Sequence, residues 1–245
     1  MDYLALATDF DGTLATDGRV EPTTLDALKR WRASGRKLIL ITGRQMSILL
    51  EPFPDLPVFD WVVAENGALL YNPATGVEKP LVEPPPEEFF QRLRDRVTTE
   101  ASTRSPQDPL WEEFTQLSQD PTVRLVSRGR VIVATWKPHD QIAAELIQEL
   151  GLDLEIILNK AAVMILPRGV DKAFGLRAAL QELGMGPEQT IGLGDAENDT
   201  AFLDLCGLSV AVANALPELK LRVKRVTQGS RGAGVVETID QILGA

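Results

Sequence analysis

The sequence predicts an α/β protein, a Rossmann-like parallel-sheet core interrupted by an inserted α+β domain. Three observations predict it. Short apolar strands alternate with helical segments at both ends of the chain. Between them the order changes to helix, two strands, helix, two strands (αββαββ), a pattern unlike the alternation on either side. The change begins at EPPPEE (83–88), where three consecutive prolines suit a stiff linker. The expected division is a core of 1–83 with 168–245 and an insert of 84–167. An insert of roughly 80 residues lies within the normal domain range.

The elements follow in order. YLALATDF (3–10) is a buried-strand pattern. PTTLDALKRWRASG (22–35) reads as a helix in which Leu25, Leu28 and Trp31 share a face and Gly35 stands at the C-terminal cap. KLILITG (37–43) and DWVVAEN (60–66) are strands, with a short helix over 45–51 between them, ended by Pro52. ALLYNPATGVEKPLV (68–82) reads as a hairpin turning at NPATG. In the insert, a helix over about 87–99 aligns Phe89, Phe90, Leu93 and Val97. A polar, irregular stretch, TTEASTRSPQDP, follows it. Strands are expected at 122–127 and 130–136 about a Gly129 turn, a helix at 139–151, and strands at 154–159 and 162–167. The core then resumes with a helix at 171–184, a strand at 190–195, a helix at 198–206, a strand at 208–213 and a short helix at 216–223. VVETIDQIL (235–243) closes the chain.

Composition narrows the function. Hydrophobic residues make up 44% and charged residues 24%, an ordinary globular balance that can build a core without staples. The net charge of −10 argues against a nucleic-acid partner or a membrane surface, yet leaves room for a small anion received locally. No run approaches the ~20 apolar residues that span a bilayer. The first residues lack a basic leader or a small-residue cleavage site, so no signal peptide is expected. A single cysteine, Cys206, fits a reducing cytoplasmic setting, and a monomer or homodimer is expected. With one His and one Cys, a zinc site is not expected.

Open α/β sheets place ligands at the carboxyl ends of their strands. There the sequence puts Asp9, Phe10, Asp11, Gly12 and Thr13, then Thr42, Gly43 and Arg44, then Glu65, Asn66 and Gly67, and finally Asp195, Asn198 and Asp199. Lys172 opens the helix before the last of these strands. Carboxylates two apart share a face of an extended strand. Asp9, Asp11, Asp195 and Asp199 converging without a cation would repel one another. A hard divalent ion resolves the conflict, and Mg2+ suits carboxylate and phosphate oxygens. Beside it Asp9 is the expected nucleophile on phosphorus, Asp11 the general acid and base, Thr42 a donor to a phosphoryl oxygen, and Lys172 a positive charge on the same group. The N–H groups of the Gly43–Arg44 turn open a helix N-terminus. Phe10, Gly12, Thr13, Gly43, Arg44, Asn66 and Asn198 are expected against the substrate. Asp195 completes the metal site, which Asp199 shares or braces from behind.

DFDGT (9–13), ITGR (41–44), Lys172 and GDAENDTAF (194–202) resemble the four motifs of the haloacid dehalogenase (HAD) superfamily, in family order. ENGALLYNP (65–73), PRGVDK (167–172) and RGAGVVETI (231–239) resemble its Cof-type branch with a type II, subclass B cap. The resemblance implies a HAD core, a cap of αββ units, and an aspartyl-phosphate on Asp9. It implies Mg2+ held by the Asp9 carboxylate, the Asp11 backbone carbonyl and Asp195. Asp11 matches the position that separates phosphatases from dehalogenases. The insert is short for its subclass.

The reading is thus a Mg2+-dependent phosphatase acting on a small phosphorylated metabolite, such as a sugar phosphate or a phosphoglycolate-like compound, with the insert closing over it. A phosphomutase on the same chemistry is the alternative. A phospho-aspartate signalling module fits less well, because such modules are shorter and lack the DxDGT pairing. Simpler roles are expected elsewhere: His139 as a helix cap, Trp111 and Trp136 in the core, and Cys206 as a small buried residue.

Overall fold

The structure, a computed structural model, describes residues 3–50, 53–103, 125–159 and 161–244. They fall into two compact units, Met1–Leu81 with Gly169–Ala245, and Val82–Arg168.

The first unit is an 8-stranded sheet. Its strands are β1 (Ala5–Asp9), β2 (Lys37–Ile41), β3 (Trp61–Ala64), β4 (Leu69–Asn72) and β5 (Val77–Pro80), then β10 (Thr190–Gly194), β11 (Leu208–Ala211) and β12 (Arg225–Val226). The spatial order is β12-β11-β10-β1-β2-β3-β4-β5. The strands from β12 to β3 run parallel, and β4 and β5 close the edge as an antiparallel hairpin. Every residue of β1 is buried, as a central strand covered on both faces requires. The chain leaves β1 toward β2 and returns on its other side as β10, so β1 stands where the strand order reverses. That reversal opens a crevice at the strands' carboxyl ends.

Two helical layers cover the sheet. Helix α1 (Pro22–Ala33) buries Thr24, Ala27, Leu28 and Trp31, at the spacing of one helical face. It packs with α8 (Gly232–Leu243), through Val235 and Ile239, into the same cluster as Leu6, Leu38 and Leu40. Full burial of a side chain as large as Trp31 contributes about 1.5–3 kcal/mol, and its indole N–H donates to the Lys37 carbonyl. Proline at the first turn starts α1, and the Gly35 N–H closes it on the Arg32 carbonyl. On the opposite face, α5 (Lys172–Leu183) and α6 (Thr200–Leu205) set Leu176, Leu180, Phe202 and Leu203 against Ala5, Ala7 and Ile39. The Asp171 side chain caps α5 by accepting from the Phe174 N–H, and a left-handed Gly184 ends it. Short helices α2 (Met46–Leu49) and α7 (Pro217–Lys220) complete the unit.

The second unit holds α3 (Glu87–Thr103), β6 (Ser127–Arg128), β7 (Val133–Trp136), α4 (Asp140–Glu149), β8 (Leu154–Asn159) and β9 (Ala162–Pro167). Its antiparallel sheet has the order β6-β7-β9-β8. Phe89, Leu93 and Val97 of α3 meet Ala143, Leu146, Val133 and Ile165 in a core of its own.

Some elements differ from the sequence reading. Helix α3 continues through 98–103, where an irregular stretch was expected. There the Thr98 and Thr99 hydroxyls donate to the Arg94 and Asp95 carbonyls one turn back, as threonine does inside a helix. Strand β7 begins at Val133 instead of 130 because the reversal occupies Gly129 to Ile132, closed by the Gly129 N–H on the Ile132 carbonyl, while β6 runs one residue past its expected end, to Arg128. His139 holds the N-cap position of α4 but makes no capping bond. Its ring is buried between the Thr135 hydroxyl and Glu100. Trp136 is half-buried. Residues 104–124, including Trp111 and part of the strand expected at 122–127, lie outside the described residues, as does Pro52. No helix among the described residues is long and apolar enough to cross a membrane.

Candidate active site

Asp9 ends β1, and the chain then turns tightly. The Leu14 and Ala15 N–H groups both donate to the Phe10 carbonyl, and the Gly12 N–H donates to that of Ala15. Gly12 has φ +87°, and a Cβ there would sit 2.4 Å from Asp195 Oδ2. Only glycine lets the first strand end lie against the Asp195 carboxylate. Thr13, fully buried, donates its hydroxyl to Asp195 Oδ1 at 3.2 Å. Two strand ends far apart in sequence are thus joined.

Lys172 is brought to them by the opposite wall. The turn after β3 places Glu65 and Asn66 in the left-handed region, with φ 53° and 55°. Gly67 follows at φ +108°, where a Cβ would lie 1.8 Å from the Asp171 carbonyl. The N-terminus of α5 therefore lies directly on this turn. Lys172 itself is 1% exposed. Its ammonium donates to Asp9 Oδ1 and to Asp199 Oδ1, each at 2.6 Å. The other Asp199 oxygen accepts the Asp195 and Ala196 N–H groups at 2.8 and 3.0 Å. Three donors fill most of the roughly four lone-pair sites of a carboxylate. Asp199 thus braces the lysine and the loop after β10 at once.

The charges are frustrated. Burial holds the Asp9 carboxyl well above the usual carboxylate range, and the nearby Asp199 charge adds to this. Lys172 pulls the other way and Asp195 pushes up again. Burial alone would lower Lys172, but the Asp199 and Asp9 carboxylates outweigh it and hold the amine above its ordinary value. Lys172 thus faces two carboxylates as their shared hydrogen-bond donor. Carboxylate oxygens of Asp9, Asp195 and Asp199 lie within 4.8 Å of one another, all buried. One ammonium among three acids leaves an all-oxygen site short of positive charge. That donor set and that deficit fit a hard divalent cation such as Mg2+.

On the other side of Asp9, Arg44 grips Asp11 with both arms, Nε to Oδ2 at 2.8 Å and Nη2 to Oδ1 at 2.6 Å. Its guanidinium also lies 5.1 Å from the centre of the Phe10 ring. Thr42 is fully buried, and its hydroxyl oxygen accepts the Arg44 N–H at 3.1 Å. That amide, expected to face a phosphate, is thus turned back on Thr42. The Thr42 carbonyl accepts the Asn66 N–H, and the Asn198 side chain reaches Asn66 Oδ1 at 3.4 Å. The Asn66 Nδ2 and Asn198 Oδ1 atoms are buried without a partner among the described residues.

Asp9, Asp195, Asp199 and Lys172 therefore meet in one cluster, with Thr13 on Asp195, while Asp11 and Arg44 form a neighbouring pair. Cys206 is 4% exposed and burial pushes its thiol up to about 12, so it is no nucleophile. The sequence reading passed over Asn214, whose side chain donates to the Gly12 carbonyl at 2.8 Å. Only the asparagine in VANA was there to signal it.

The parallel sheet, its reversal at β1 and the buried acid–lysine cluster define a doubly wound α/β core with a charged site at its strand ends, interrupted by an antiparallel insert. The chain belongs to the haloacid dehalogenase-like hydrolases, whose family model matches residues 6–82 and 87–239. It is 28% identical to "Phosphoglycolate phosphatase 2" of Saccharolobus solfataricus, over 98% of this chain and 92% of that protein. It is 29% identical to a phosphoglycolate phosphatase of Natronomonas pharaonis, over 96% of each. Among solved structures, a HAD-superfamily phosphatase from Bacteroides thetaiotaomicron shares the fold, with a TM-score of 0.77 and 22% identity over 100% of this chain and 96% of that one.

Proposed function

We propose that the chain is a Mg2+-dependent phosphomonoesterase that hydrolyses a small phosphorylated metabolite through an aspartyl-phosphate on Asp9. The observation that carries this reading is the Lys172 ammonium bridging Asp9 and Asp199 beside Asp195. It is an anionic nucleophile held by fixed positive charge, with acids left over to hold a metal. The Asp9 and Asp195 carboxylates and the Asp11 backbone carbonyl would hold a magnesium ion, which would supply positive charge to the phosphoryl group.

The chain's own residues do the rest. An Asp9 oxygen attacks phosphorus, and the bond to the ester oxygen breaks as Asp11 protonates it. Asp11 then takes a proton from water, which attacks the acyl phosphate and releases phosphate with Asp9 restored. For either transfer one Asp11 oxygen must leave the Arg44 fork, and an incoming phosphate is an anion with which Arg44 can pair. Lys172, the Thr42 hydroxyl and the turn at Phe10, Gly12, Thr13 and Gly43 surround the phosphoryl group, while Asn66 and Asn198 line its edge. The unit Val82–Arg168 serves as the cap that sets substrate choice.

The names of the relatives make phosphoglycolate the first compound to try, followed by sugar phosphates. The chain's single, buried cysteine accords with a cytoplasmic enzyme. The test is phosphate release from such a panel with and without Mg2+. Release that needs the metal and vanishes in Asp9→Asn supports the reading. Turnover that persists in Asp9→Asn, or none with any ester, ends it, and an isomerised sugar phosphate in place of free phosphate would mark a mutase.

A further inference from the structure

We propose that Asn214 is a positioning residue that holds the DFDGT turn against Asp195. The proposal rests on the hydrolase reading above. Asn214 lies in the loop after β11, and its side-chain bonds to Gly12 and Arg231 go to backbone, not to one of the four acids. Its Nδ2 donates to the Gly12 carbonyl at 2.8 Å, and its Oδ1 accepts the Arg231 N–H at 2.7 Å. A carbonyl can only accept and an amide N–H can only donate, so both partners fix the same orientation of the Asn214 amide. No other side chain of that length offers one donor and one acceptor so placed.

The turn it holds packs against Asp195 on the other side. The Gly12 Cα lies against the Asp195 carboxylate, closely enough that a Cβ would be 2.4 Å from Oδ2. Asn214 thus grips the glycine from outside while Asp195 lies against it from inside. The Gly12 carbonyl belongs to the peptide that leads into Thr13. That unit is planar, so anchoring the carbonyl also sets the direction in which Thr13 leaves it. Thr13 in turn donates to Asp195 Oδ1.

The Asn214 loop is also tied to Asp195 through the backbone. The Val212 N–H donates to the Gly194 carbonyl and the Leu216 N–H to that of Asp195. The loop therefore holds both strand ends whose spacing sets the distance from Asp9 and Asp11 to Asp195. At its other end Asn214 satisfies Arg231, a non-glycine residue at φ 51° that opens α8. Asn214 is exposed, so water can replace either bond at small cost in stability. A shift of about 1 Å in reacting groups can cost about 100-fold in rate. The expected signature is therefore lost rate with little lost stability.

Two substitutions separate the ends. Asn214→Asp keeps the acceptor for Arg231 and removes the donor to Gly12, whereas Asn214→Ala removes both. With full-length protein, Mg2+ and the best ester of the panel, both variants are expected to lower kcat roughly 10- to 100-fold. KM should change less than kcat, and the aspartate variant should keep the wild-type thermal midpoint. Wild-type kcat in either variant overturns the proposal. So does wild-type kcat in Asn214→Asp with loss only in Asn214→Ala, which would place the effect at the start of α8. A rate loss that merely tracks a fall in midpoint assigns Asn214 to stability and overturns it too. If wild type releases no phosphate, the hydrolase reading fails first, and inorganic phosphate binding by calorimetry decides on Asn214. Equal affinity in wild type and Asn214→Asp overturns the proposal, and weaker affinity in the variant supports it.

Discussion

The Lys172 ammonium stands 2.6 Å from both Asp9 Oδ1 and Asp199 Oδ1, with the lysine 1% exposed. Removing this lysine leaves two buried carboxylates without their cation, whereas removing Asp9 leaves Lys172 paired with Asp199. Lys172→Met should therefore abolish turnover and lower stability in metal-free buffer by about 3–5 kcal/mol. Urea unfolding monitored by fluorescence, alongside phosphate release, checks both. A variant with wild-type stability would mean that the cluster does not depend on the ammonium.

Asp9 makes a pH prediction of unusual sign. Its native carboxyl is held above the ordinary value by burial and by Asp199. From about pH 4, where a free aspartate ionises, upward to the native value, the unfolded chain loses its proton first and stability falls as pH rises. Asp9→Asn removes that penalty. In metal-free buffer at pH 7 the variant should melt above wild type, and the margin should close as pH falls toward about 4. Thermal melts across pH 4–8 read it directly, and a variant less stable than wild type at pH 7 contradicts it.

Magnesium should relieve the same repulsion. Adding it at 100 times its dissociation constant is expected to stabilise the wild type by about 2.7 kcal/mol. Asp195→Asn removes one of the buried acids, so the increment should shrink. Differential scanning with and without Mg2+ measures both. An equal increment in the two proteins would place the ion elsewhere.

Gly12 and Gly35 offer a controlled comparison. Both have positive φ, +87° and +85°, but a Cβ at Gly35 meets nothing within 4 Å while one at Gly12 meets the Asp195 carboxylate. Gly35→Ala should cost only the left-handed backbone penalty, about 1–2 kcal/mol, with activity retained. Gly12→Ala should cost more and should abolish phosphate release. Equal costs would show that the Asp195 contact is unimportant.

Much of this was legible in the sequence. Asp9, Asp195 and Lys172 could be placed because each follows or precedes an apolar strand whose parallel pairing fixes which end it occupies. Other features depend on bonds that sequence spacing does not carry. Asn214 acts through a carbonyl 202 positions away. Arg44 was expected against the substrate, and only the folded chain shows both its arms on Asp11. The polar composition of 98–103 carries no apolar periodicity to mark a helix, yet α3 runs on through it, its threonine hydroxyls bonded to carbonyls of the same helix. Strand β12 spans only two residues, too few for any periodicity to register.

The most direct measurement is acid quenching of the wild type during turnover of a phosphate ester with Mg2+, followed by peptide mass spectrometry. A phosphoryl group on the peptide carrying Asp9, absent in Asp9→Asn, is the expected result. Steady phosphate release with the group on another residue, or on none at any quench time, would contradict a nucleophilic Asp9.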